Sequence, residues 1–389
     1  MRTKVFNCIA GVLVLSISMI TVPESGYSQE NGGYISSNPK GCNLCHKPEA
    51  TLWLGHGHSS MLRAVEGGKA PEGTKVQLPE GMSWSDISYL IGGSKNYANF
   101  ADSKGYVVTG DKAIYSFEAK GFTPFEPDKT PGTRSYDCVK CHVVGWTATG
   151  SYEKGVNNEL EGIPGKWFES SVGCEACHGP GHEHSAMGPK TMQDMKKKDK
   201  KADLKIIMSK KSEICGQCHK INDDNKVTVV AADLIRNEQQ YSEMSYNKHA
   251  KLKVTCVACH NPHASSKTEE GLTRKCLDCH KGKFEKPVKI AAMQDLSCED
   301  CHMPYAVRGG YDTMVKGYHK GDTRSHVFGI TPDPDYKLDD GSGHMTLNSD
   351  GFARLTVEMT CYACHKSGEA SNMSRAELLG KMKEVHGVQ

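Results

Sequence analysis

Cys256-Val257-Ala258-Cys259-His260-Asn261-Pro262-His263 is the stretch on which the reading of this chain turns. Two thiols sit three positions apart, an imidazole follows the second directly, and another imidazole comes shortly after. At that spacing two sulfurs can form thioethers to the vinyl groups of a porphyrin while the adjacent histidine reaches the iron as proximal ligand. The Cys-x-x-Cys-His unit recurs at Cys42/Cys45/His46, Cys138/Cys141/His142, Cys174/Cys177/His178, Cys215/Cys218/His219, Cys276/Cys279/His280, Cys298/Cys301/His302 and Cys361/Cys364/His365, making eight in all. A structural zinc site would need paired Cys-x-x-Cys units but no histidine directly after the second thiol. A disulfide scaffold would not demand that histidine either. The expected cofactors are therefore eight covalently attached c-type haems.

The remaining cysteine, Cys8, lies in an N-terminal stretch with Arg2 and Lys4, an apolar segment over 5–20 and small residues before Gln29. This is the pattern of a secretory signal peptide, cut near Ser28. Asn7, Ser16 and Ser18 interrupt the apolar run, which is short for a membrane anchor. Val5-Phe6-Asn7 lacks the small residues expected before a lipidated cysteine. The mature chain is expected to be soluble and periplasmic or extracellular.

Without residues 1–28 the chain has 361 residues, about 45 for each motif. Hydrophobic residues make up 37%, and the mean hydropathy of −0.53 is low for an ordinary globular core. Porphyrin faces are expected to supply the missing apolar surface, so the chain should fold poorly without them. Lys+Arg 48 against Asp+Glu 46 becomes a net +1 once Arg2, Lys4 and Glu24 leave with the leader. Each ferric haem with two ionised propionates adds about −1. The loaded protein is acidic overall, which argues against nucleic-acid binding.

Successive first cysteines are 96, 36, 41, 41, 20, 22 and 63 residues apart. This divides the mature chain into 29–137 (haem one and an insert), 138–310 (a dense block of haems two to seven) and 311–389 (haem eight and a C-terminal helix). The expected fold is mainly α and irregular coil wrapped around a stacked haem array, with a small β-hairpin insert between haems one and two. The insert, 61–134, lacks Cys and His. Its β-prone runs 106–111 and 113–117, joined around Gly110-Asp111, carry the hairpin signal. The lysine-rich segment 190–211 reads as a solvated helix linking haems three and four, or as a dock for an acidic redox partner. A shorter helix over 237–251 leads into haem five. A last helix opens on Ser374 with Glu377 at the capping-box offset, placing Leu379, Met382 and His386 on one face.

Beyond the eight motif histidines there are ten others: His56, His58, His182, His184, His249, His263, His319, His326, His344 and His386. These are the natural pool of distal iron ligands. Methionine, the competing ligand, would raise the potential, but the methionines here read better as packing residues. By pattern His58 shares a face with Met61, Leu62 and Val65, and His386 lies on an apolar helix face. His56, between glycines, belongs to a turn, and His182 to the surface. His319 and His344 remain open as distal ligands.

Three segments resemble the multihaem cytochrome c superfamily that includes the tetrahaem electron acceptor of hydroxylamine oxidoreductase. They are Cys174-Glu-Ala-Cys-His-Gly-Pro-Gly followed by His184, Cys256-Val-Ala-Cys-His-Asn-Pro-His263, and Cys298-Glu-Asp-Cys-His-Met-Pro followed by Gly321-Asp322-Thr-Arg324-Ser-His326. The likeness covers most of 38–365. It implies distal roles for His184, His263 and His326, and for His249, which matches a Lys-His preceding the second segment. The function it implies is electron transfer along closely stacked, mostly bis-His haems, with no catalytic residue. The partners implied are quinol-linked or periplasmic redox proteins, extracellular acceptors, or copies of the chain in a filament. The alternative is an octahaem oxidoreductase acting on a small nitrogen or sulfur oxyanion at one five-coordinate haem. Such sites often carry a Cys-x-x-Cys-Lys variant, which this sequence lacks.

Overall fold

The computed structural model describes residues 33–37, 41–152, 155–156, 158–230, 233–281, 290–366, 368 and 371–385. The proposed leader and His386 lie outside them. The molecule is mixed, with several sheets, so its strand content exceeds the small hairpin expected beside α and irregular coil. The insert forms a five-stranded antiparallel sheet of β1 (Leu62–Ala64), β2 (Ile87–Gly92), β3 (Tyr97–Asp102), β4 (Gly110–Ser116) and β5 (Gly121–Phe125), ordered along the chain. The hairpin signal is thus real in kind and wrong in place. Gly110 and Asp111 begin β4 instead of forming a turn, and β4 pairs with β5 through Ser116 and Gly121. Of 106–109, only Val107 makes a bridge, to Ala101.

This sheet is packed on both faces, and one irregularity explains its residue pattern. Tyr89 and Ile91 of β2 join Leu62, Trp167 and Tyr136 in one core, while Leu90 joins Ile87, Ala98 and Phe100 in another. Ile87 and Leu90 are an odd number of positions apart, so strict alternation would place them on opposite faces. The register shifts between Ile87 and Tyr89, and that bulge turns Ile87 to the face of Leu90.

Two short strands, β6 (Val143–Val144) and β7 (Glu169–Ser170), pair antiparallel after the insert. The second half is built on a four-stranded sheet, β11-β10-β9-β8, which no sequence pattern announces. Its strands are β8 (Val229–Val230), β9 (Leu234–Arg236), β10 (Val307–Val315) and β11 (Tyr318–Thr323). Lys316 and Gly317, with φ of 52° and 73°, form the two-residue turn between paired Val315 and Tyr318. Positive φ at both turn residues matches the right-handed twist of a tight hairpin, and glycine reaches it without strain. At Gly321 a Cβ would lie 2.1 Å from the Val307 carbonyl oxygen, so close strand approach requires glycine there. The core under this sheet gathers Val227, Ile235, Val307, Val327, Leu338, Ala353 and Leu355.

Helices are short. The first, α1 (Lys47–Leu54), follows motif one; α2 (Cys174–His178) is motif three; and α3 (His182–Lys198) follows it. The helix expected over 190–211 is corrected: α3 begins earlier, breaks at Gly188 (φ 68°) before Pro189, and ends at Lys198. The helix expected over 237–251 is two pieces, Gln240–Ser245 and Lys248–Lys251, because Asn247 is extended and caps the second through His249 N and Ala250 N. His58 lies in a 3-10 turn, Gly57–Ser60, that runs into β1 instead of continuing as a helix. The C-terminal helix, Arg375–Val385, opens on the expected box, with Ser374 N and Oγ both donating to Glu377 Oε2 at 2.7 Å.

Candidate haem-binding sites

Each motif winds into about one helical turn. The amide of His46 donates to the Cys42 carbonyl at 3.0 Å, and the same bond closes the turn at His219, His260, His280 and His365, at 2.9 to 3.0 Å. Positions i, i+3 and i+4 of a helix share a face. The turn therefore presents both sulfurs and the imidazole to one side, which is why the motif has this spacing. The sixteen motif thiols are unbonded to one another, standing where the thioether sulfurs of a c-type haem would be.

Hydrogen bonds fix how several rings face. Nδ1 lies 2.8 Å from the Ile207 carbonyl in His178, 2.8 Å from that of Phe328 in His302, and 2.6 Å from that of Ser371 in His365. In His219 it meets Gln240 Oε1 at 2.9 Å, and in His184 the Leu204 carbonyl at 2.8 Å. An Nδ1–H that donates to a carbonyl leaves Nε2 with its lone pair outward, the tautomer that a metal binds. His142 Nδ1 is hydrogen-bonded instead to the Tyr136 hydroxyl. The backbone carbonyl partners carry no sequence signal, because a backbone oxygen belongs to any residue. Tyr136, two residues before Cys138, and Gln240 are the side-chain partners that sequence inspection could have singled out.

The arrangement then brings motif histidines opposite distant ones. Ring centroids are 6.2 Å apart for His46 and His184, 6.2 Å for His58 and His219, and 6.1 Å for His178 and His263. They are 6.0 Å apart for His249 and His280 and 6.0 Å for His260 and His326. A metal–imidazole bond is ~2 Å, so two rings bonded to one metal from opposite sides have centroids about 6 Å apart. The residues present therefore fit an iron held between two imidazoles at five motifs. At this spacing, and among the described residues, no imidazole lies opposite His142 or His365. His319 and His344 are not brought opposite a motif histidine. His319 Nδ1 meets Asp312 Oδ2 at 2.5 Å across the β10–β11 hairpin, and His344 Nδ1 meets Ser342 Oγ at 3.0 Å. His56 accepts from His58 N at 3.0 Å and caps its turn.

Burial, reinforced by neighbouring imidazoles, lowers the affinity of these rings for protons. His58 and His326 fall to about 3 and His56 to about 4, and His142, His249, His260 and His263 are also lowered. Neutral imidazole is the form that ligates metal. Among the described residues, no cluster of three or more His, Cys, Asp or Glu side chains forms a separate metal site.

The motifs also adjoin one another. Side chains of Cys42 and Cys174 are within hydrogen-bonding reach, as are Cys141 and Cys218, Cys215 and Cys256, and Cys276 and Cys298. Electrostatic interaction links Cys177 with Cys218, Cys259 with Cys279, and Cys301 with Cys364. In sequence order these proximities join motifs one, three, four, five, six, seven and eight, with motif two branching from motif four.

Cys45, expected to bond one vinyl group of haem one, takes no part in these links among the described residues. It is exposed, and its amide donates to the Cys42 carbonyl at 3.2 Å.

Comparison with known proteins agrees with this chemistry. Residues 95–179 match the family described as cytochrome c554 and c-prime. The multiheme cytochrome MtrA of Shewanella baltica is 26% identical over 178 residues, covering 43% of this chain and 45% of the relative. Cytochrome c-554 of Nitrosomonas europaea is 34% identical over 107 residues, covering 26% and 42%. The chain thus spans less than half the length of either relative. Two solved structures share the fold. The octaheme sulfite reductase MccA of Wolinella succinogenes has a TM-score of 0.55 at 16% identity, over 86% of this chain and 65% of that one. The outer cell wall cytochrome OcwA has a TM-score of 0.52 at 18% identity, over 90% and 86%. Over the parts these matches cover, the chain is similar to multihaem cytochromes c.

Proposed function

We propose that this chain is an exported octahaem cytochrome c acting as an electron conduit between redox partner proteins. The sixteen motif cysteines would hold the eight haems. The proximal ligands would be His46, His142, His178, His219, His260, His280, His302 and His365. Haem iron supplies a one-electron couple. The chain's part is to fix two imidazoles per iron, exclude water and keep neighbouring centres close. The observation that carries the proposal is the set of five imidazole pairs at 6.0 to 6.2 Å. They support His184, His58, His263, His249 and His326 as the distal ligands of motifs one, four, three, six and five. An iron bonded on both faces has no site for substrate, which suits conduction. Contacts between motifs support a closely packed array.

The leader pattern over 1–28 supports export. Among the described residues no helix is long and apolar enough to cross a membrane. The leader supports work in the periplasm or at the cell surface.

One observation favours the second reading, an oxidoreductase acting on a nitrogen or sulfur oxyanion. His142 faces no imidazole among the described residues, and the buried Tyr136 hydroxyl lies on its ring. Motif two would be the place for an open iron. Electron paramagnetic resonance of the oxidised protein, read beside turnover assays with nitrite, hydroxylamine, sulfite and tetrathionate, separates the two. A spectrum dominated by low-spin iron and unchanged by these molecules supports the conduit. A high-spin signal that shifts when one of them is added, with turnover, supports the enzyme.

A further inference from the structure

We propose that the lysine-rich arm formed by α3 and the segment to Lys211 is the docking surface for an acidic redox protein, which exchanges electrons with motifs one and three. This rests on the conduit reading and names where the partner meets it.

Charge is the first argument. Residues 190–211 contain nine lysines and three aspartates, a local excess of six positive charges. Every one of the lysines from Lys196 onward is exposed. Lys197 pairs with Asp194 and Lys205 with Asp203, whereas Lys198, Lys200, Lys201, Lys210 and Lys211 meet no carboxylate among the described residues. With propionates counted, the rest of the molecule is negative, so this arm has the opposite sign to its surroundings. A patch of that kind orients an incoming acidic protein before contact.

The second argument is where the arm sits. The Leu204 carbonyl meets His184 Nδ1, and the Ile207 carbonyl meets His178 Nδ1, both at 2.8 Å. The Ile207 amide also donates to the His178 carbonyl at 3.0 Å. The arm's backbone thus lies directly on imidazoles of motifs three and one. Between the charged residues, Ile207 and Met208 are 49% and 77% exposed. An apolar centre within a charged rim is the anatomy of a protein interface. Two apolar side chains offer little to insert into a bilayer, so a protein partner is favoured over an anionic membrane.

The test uses the haem-loaded protein and a bacterial flavodoxin as acidic one-electron donor. The variant K198E/K200E/K201E/K210E changes side chains that hold no partner among the described residues. The control K69E/K75E/K104E/K129E makes the same net change on the exposed insert. The expected result at low salt is at least a tenfold fall in the rate of reduction by flavodoxin for the arm variant, with loss of its salt dependence. Flavodoxin affinity measured by surface plasmon resonance should fall in parallel. The control should remain within about twofold of wild type in both. Equal effects of the two variants, or none, would overturn the docking proposal. So would lysine-dependent sedimentation with phosphatidylserine vesicles at an unchanged flavodoxin rate. Photoreduction by neutral deazariboflavin tests the underlying reading separately: if it fills only some of the haems of the wild type, the conduit fails, whatever flavodoxin does.

Discussion

Glu243 should make this protein less stable as the pH rises, and Glu243→Gln should remove that dependence. Its side chain is fully buried. Oε2 accepts from Ser325 Oγ at 2.8 Å and from His326 N at 2.7 Å, whereas Oε1 is buried with no partner. Burial outweighs the two hydrogen bonds and pushes the carboxyl up to about 7 from 4.5. With the folded value raised, the native state keeps a proton that the unfolded chain gives up between pH 4.5 and 7. Stability is therefore greatest below that window, falls through it and is level above it. At ~1.4 kcal/mol per pH unit the loss is about 3 kcal/mol. The substituted amide keeps an oxygen to accept from Ser325 and His326 and adds no charge. Guanidinium unfolding of both proteins at pH 5 and pH 8, followed by far-ultraviolet circular dichroism, isolates the effect as a difference of differences. The variant should gain on wild type by about 2 to 3 kcal/mol between the two conditions. A gap between the proteins that is the same at both pH values would refute the reasoning.

Intact mass of the secreted protein should show eight haem increments on the chain cut near Ser28; six or fewer in fully matured protein would contradict the motif count. His263→Ala should convert one haem equivalent from low-spin to high-spin in the electron paramagnetic resonance spectrum, leaving the rest unchanged. A spectrum identical to wild type would remove His263 as the partner of His178. Ser374→Ala should destabilise the helix Arg375–Val385 by about 1 kcal/mol, through loss of the cap. Faster limited proteolysis within that helix is the readout, and an unchanged cleavage rate would mean that the box contributes nothing.

Chemistry is far more legible in this sequence than architecture. Cys-x-x-Cys-His is a local signal, because the helical turn that gathers two sulfurs and an imidazole needs only five residues. The resemblance also points to His184, His249, His263 and His326, and the structure sets each opposite a motif imidazole. It could not say which, because the pairs cross between segments remote in sequence: His46 meets His184, and His219 meets His58. The sheets are the larger miss. The β10 sequence Val307-Arg-Gly-Gly-Tyr-Asp-Thr-Met-Val carries two glycines and no clean alternation, so it reads as loop. Its strand is secured by pairing with β11 and β9, a tertiary effect. In the insert, both faces of the sheet are buried, so its strands carry no polar–apolar alternation to read.

Locating the irons in the haem-loaded protein by electron cryo-microscopy or crystallography tests the conduit most directly. The account predicts an iron between each of His46/His184, His58/His219, His178/His263, His249/His280 and His260/His326, with each haem edge against that of the next motif in the order of the cysteine contacts. An iron missing from any of these pairs, or a layer of protein separating two successive haems, would contradict it.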